Sequence, residues 1–111
     1  MNDMNEHDRD GGEKKLVLLE HLVRAQMDDH RDAARLADYA ESAHGAGETA
    51  IASYFAQRAK SRIASAAEAE RYIDDLMPPG GGADRMMYRK ALRRYQEETA
   101  ESLNRRLDRI M

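Results

Sequence analysis

Glu41 and His44 are the residues of this sequence whose types and spacing come nearest to a reactive pair. Side chains three apart on a helix lie on one face, so Glu41-Ser42-Ala43-His44 presents a carboxylate and an imidazole together. Both are ligands for iron, manganese or zinc, which makes Glu41 and His44 the candidate metal ligands of the chain. His30 falls on the same helical stripe as His44. A symmetric dimer would bring Glu41, His44 and Glu48 together twice, as a metal-bridging or pH-sensitive contact. With ten Glu and four His, however, a Glu-x-x-His arises by chance in about one chain in three of this composition. The simpler role of His44 is to complement the dipole at a helix end, and no resident cofactor is expected.

Two charged groups stand out for binding rather than reaction. Arg85, Arg89, Lys90, Arg93 and Arg94 form the densest basic run, with Tyr88 among them, and helix-borne guanidinium groups can touch phosphates. The chain as a whole is acidic, with 18 Lys plus Arg against 21 Asp plus Glu, whereas nucleic-acid-binding domains are usually strongly basic. The charge balance therefore argues against nucleic acid as a partner, and a protein is the expected one. The opposite charge gathers at Asp28, Asp29 and Asp32, followed by Asp38, Glu41 and Glu48, where a basic protein surface could dock.

Catalytic equipment is otherwise scarce. The absence of cysteine removes thiol nucleophiles, disulfides and thiolate metal sites. Ser42, Ser53, Ser61, Ser65 and Ser102 sit in helical sequence, away from any strand-to-helix elbow. Gly80-Gly81-Gly82 lacks the Lys and Ser or Thr of a phosphate loop. These observations predict a protein that is not an enzyme.

The elements that must carry these residues are helices. Leu, Ile, Val and Phe number only 16 among 111 residues, while Ala alone contributes 18, and little β-branched sequence remains for strands. Residues 1–12 are acidic, polar and closed by two glycines, and read as a mobile tail. From 13 to 44, Leu16, Leu19, Val23, Gln26, His30, Ala33, Ala37, Ala40 and His44 step by threes and fours along one stripe. Gly45-Ala46-Gly47 offers a left-handed residue to end that helix, and Gly47 or Thr49 opens the next.

A second stripe over 48–77 comprises Ala52, Phe55, Ala59, Ile63, Ala66, Ala69 or Glu70, Ile73 and Met77, stopped by Pro78-Pro79-Gly80-Gly81-Gly82. A third helix over 84–111, capped by Asp84, carries Met87 or Tyr88, Leu92, Tyr95, Thr99, Leu103, Arg106 or Leu107, and Ile110. The expected fold is all-α: one domain over 13–111, with three long antiparallel helices in an up-down-up, coiled-coil-like bundle. Alanine crowds the end near Gly45–Gly47, and bulk should grow toward Leu16, Leu19, Ile73 and Leu76.

The segment Ile51-Ala52-Ser53-Tyr54-Phe55, with Ala59 and Ala66, is similar to the second helix of rubrerythrin-like proteins, over roughly residues 25–77. That resemblance implies a ferritin-like helical fold and, as an alternative function, a metal-binding protein using Glu41 and His44. Where the family places its own Glu-x-x-His this chain has Arg62 and Ser65, and where the first-helix Glu would fall it has Ala25 or Gln26. A guanidinium in place of a carboxylate opposes a cation.

The alanine-rich seam buries little area, so three such helices predict a marginal monomer. Self-association, with a dimer favoured, is the natural remedy, and Leu18, Leu22, Leu36, Ile51 and Tyr54 are the apolar residues left over for it. Residues 1–50 hold 12 acids and six bases, while residues 84–111 hold five acids and eight bases, so the first and third helices should attract each other. No run of apolar residues is long enough for a membrane span and no signal-peptide pattern opens the chain, which predicts a cytoplasmic protein. The functional expectation is a non-enzymatic adaptor, inhibitor or assembly accessory protein, with nucleic-acid contact through the basic run as a further alternative.

Overall fold

The computed structural model describes the backbone of residues 2–77 and 83–111, and side chains for residues 12–77, 87 and 89–111. It contains three helices, α1 (Asn2–Gly45), α2 (Thr49–Leu76) and α3 (Ala83–Asp108), and no strand among the described residues. None of these helices is long and apolar enough to cross a membrane. Helical backbone in α1 reaches back to Asn2 rather than opening at Glu13, so the segment read from sequence as a tail continues the helix. Propagating a formed helix requires ordering only one residue per added hydrogen bond, so extension beyond the packed region is locally inexpensive. The Pro78–Gly82 break lies outside the described residues, as does the side chain of Asp84.

The α1–α2 connection follows its local chemistry. Gly47 adopts φ +78°, the left-handed region where a side chain would be strained. Its N–H donates to the His44 carbonyl at 3.1 Å and the Glu48 N–H donates to Ala43 at 2.9 Å, the paired bonds of a Schellman ending. Glu48 then stands at the N-cap of α2 without a side-chain capping bond.

The α1–α2 contact is made of small residues. Ala33, Ala37 and Ala40 of α1 and Ala52, Ala56, Ala59, Ile63, Ala66, Ala69 and Ile73 of α2 are buried. The steps between them on α2 are all three or four residues, a heptad-like seam in which small side chains let two backbones approach closely. Contacting pairs run in opposite senses: Tyr39 meets Phe55, Asp29 meets Arg62, and Gln26 meets Ala66 and Glu70. Helix α3 adds Leu103 and Leu107 to the alanine core, with Ala100 and Ile110 packed against it.

Several inward assignments differ from the sequence reading. Leu16 is 60% exposed, Met87 70% and Tyr95 67%, while Phe55 is half-buried and Ala56 takes the buried position beside it. His44 is exposed and His30 half-buried. Bulk does not accumulate uniformly at the end of the molecule away from Gly47. Ile73 is buried there and Leu76 half-buried, but the centre of that region is polar.

Candidate interaction surface

Polar side chains from all three helices meet around Gln26, which is 2% exposed. Its Nε2 donates to the Ala66 carbonyl at 3.1 Å and to Glu70 Oε2 at 2.7 Å, and its Oε1 accepts from Gln96 Nε2 at 3.0 Å. Glu70 also accepts from Arg93 Nε at 3.0 Å and from Arg89 Nη2, and Arg93 Nη2 donates to Asp74. Burial would raise the Glu70 carboxyl pKa, but hydrogen bonds from Gln26, Arg89 and Arg93 outweigh it and hold the pKa below its ordinary value. The Arg93 guanidinium is correspondingly stabilised in its charged form by Glu70 and Asp74. Beside this layer, burial depresses His30, against the opposing charges of Asp29 and Glu70, and His30 Nδ1 has no hydrogen-bond partner among the described residues.

This network changes the meaning of the charged candidates. Arg89 and Arg93 join α3 to α2, and Asp29 is buried with Arg62 Nη1 3.4 Å away on α2. Lys90 and Arg94 are exposed, and the side chain of Arg85 lies outside the described residues. Asp28 is exposed with Arg31 4.0 Å away, while Asp32 is half-buried. The basic run is therefore divided between residues that bind the protein's own acids and residues that face outward. Sequence separation alone could not show that division, although charge attraction between helices was legible.

Glu41 is likewise engaged: Arg106 Nε donates to it at 2.6 Å and Arg106 Nη2 to Asp38 at 2.8 Å, tying α3 to α1. The Arg106 hydrogen bond holds the Glu41 carboxyl below its ordinary pKa. A cation at Glu41 would have to displace a guanidinium already neutralising it. No cluster of three or more His, Cys, Asp or Glu able to hold a metal ion occurs among the described residues. Arg62, the residue that breaks the rubrerythrin-like pattern, is committed to Asp29.

Part of the exposed apolar surface gathers on α1. Leu16, Leu19, Val23 and Met27 line a groove along α1, edged by Glu20, Arg24, Asp28 and Arg31. Every one of these residues belongs to α1, and among the described residues none of α2 or α3 contributes to the lining. Leu16 and Met27 (53% exposed) lie open, while Leu19 and Val23 are half-buried. Of the residues expected to self-associate, Leu18 and Ile51 are exposed, Leu22 is half-buried, and Leu36 packs against the alanine core. Tyr54 is exposed but stacks edge-on with Phe55 and lies under Arg58. Spacing alone conceals the groove, because Leu16, Leu19 and Val23 fall on the stripe that reads as the inner one.

Comparison with protein families, with curated proteins and with solved structures finds no match to this chain.

Proposed function

We propose that the chain is a non-enzymatic helical protein that acts by protein–protein interaction, with the uncovered face of α1 as its association surface. The observation that carries this reading is the placement of Leu16 and Met27 on the outside while the α1–α2 seam is alanine. An apolar helix stripe edged by charges fits a protein surface, and one amphipathic helix can lay such a face against another.

The bundle that presents this face is read as up-down-up. The opposed running of the α1–α2 pairs supports that path. So does the agreement of Gln26 with Gln96, and of Asp38 and Glu41 with Arg106, in which α3 numbering rises with α1 numbering. The role is that of an adaptor, inhibitor or assembly accessory protein, and self-association belongs to it because the core is thin.

Sedimentation equilibrium of the purified chain over a wide concentration range tests the reading. Reversible mass above that of one chain, abolished by Met27→Glu with helical content unchanged, is the expected result. A single-chain mass throughout, with Met27→Glu behaving identically, would overturn it.

A further inference from the structure

We propose that the α1 groove is filled by the same groove of a second copy, with the two α1 helices antiparallel about a two-fold axis near residue 25. This rests on the proposed association role and specifies its partner and register.

Charge order is the argument. Along one edge of the apolar stripe, Glu20, Arg24, Asp28 and Arg31 alternate in sign at every step. A parallel two-fold pairing would carry this edge to opposite sides of the contact in the two copies, so that the four charges would not meet their counterparts, whereas an antiparallel two-fold pairing keeps both copies of the edge on one side. In an antiparallel pairing the numbers of facing residues total a constant. A total of about 50 to 52 places Glu20 opposite Arg31 of the second copy and Arg24 opposite its Asp28, and symmetry repeats both pairs. The same register sets Val23 against Met27 and Leu16 against Ala34. Ala34, about five helical turns on from Leu16, is half-buried at the margin of the alanine core, so the bulky Leu16 meets a small residue where the groove ends. Apolar and charged complementarity thus select one alignment.

The charges are available for exchange. Within one copy Arg24 lies 3.4 Å from Glu20 and Arg31 lies 4.0 Å from Asp28, all four side chains being largely exposed. Exposed pairs of this kind contribute little, so replacing them with pairs across an apolar contact is not opposed by a strong internal bond. The contact from Leu16 to Ala34 would run about 27 Å along each helix, a small interface that suits reversible association.

The chain contains no cysteine, so introduced thiols report contacts cleanly. Val23→Cys and Met27→Cys proteins, one lengthened by a tag, are mixed, oxidised under dilute conditions and separated without reductant. The expected product is the mixed disulfide, in excess of both same-residue disulfides and of the random proportion. In parallel, Arg24→Glu should weaken association about tenfold, and adding Asp28→Arg should restore most of that loss, because the two exchanged charges then pair across the axis with their signs reversed. Circular dichroism confirms that each variant is folded. Association that persists while same-residue disulfides dominate, or that Asp28→Arg fails to restore, overturns this register and leaves the association role standing. A folded chain that remains monomeric at every concentration overturns both.

Discussion

Glu70 shows how much of this molecule depends on single polar residues. It accepts from Gln26, Arg89 and Arg93, and so links three helices through one carboxylate. Glu70→Ala leaves those donors short of an acceptor, and should destabilise the protein by about 1–3 kcal/mol in denaturant titration. Acid acts in the same direction. The native pKa of Glu70 is depressed, so its contribution is present above the ordinary carboxylate range and is lost as pH falls through the native value. His30 is depressed by burial, so between its native pKa and 6.5 the unfolded chain binds the extra proton and stability declines as pH drops. His30→Leu should flatten the melting-temperature profile below pH 6.5, while leaving the lower-pH decline that follows from the carboxylates. An unchanged slope would show that His30 is not responsible. Of these roles, the sequence revealed titratable residues at seam spacing, but it could not reveal that Gln26 and Glu70 meet across a separation of 44 residues.

The α1–α2 seam argues for a different kind of sensitivity. Ala37 and Ala59 are fully buried members of one core cluster, and a larger side chain has no volume to enter without separating the helices. Ala59→Leu adds apolar surface yet should destabilise by about 1–3 kcal/mol, measured by thermal or chemical unfolding. A stabilising outcome would mean that the seam is loosely packed. This seam was legible because alanine recurs at threes and fours on both helices, and because Gly47 follows directly where the first helix must end. Phe55 was harder to place: it sits beside Ala56 at the edge of the seam, and neighbouring positions on a helix differ by only about 100° in direction.

At the scale of the molecule, an elongated body of 69 Å along its longest axis has a core concentrated near the α1–α2 turn and a polar layer farther along. Association through α1 would add apolar contact where the single chain has least. The melting temperature should then rise with protein concentration, because dimerisation stabilises only the folded chain, and Met27→Glu should remove that dependence. Composition and periodicity were enough to establish three helices, the turn at Gly47 and the alanine character of the seam, since these follow from local propensity and spacing. Which side of α1 remains open did not follow. A stripe that repeats every seven residues drifts about 20° per heptad on a straight helix, so over three heptads Leu16 turns about 60° away from Ala37. Leu16 and Ala37 therefore look like one face in the sequence, but among the described residues α2 and α3 bury the part of it that carries Gln26, Ala33, Ala37 and Ala40 and leave Leu16 exposed.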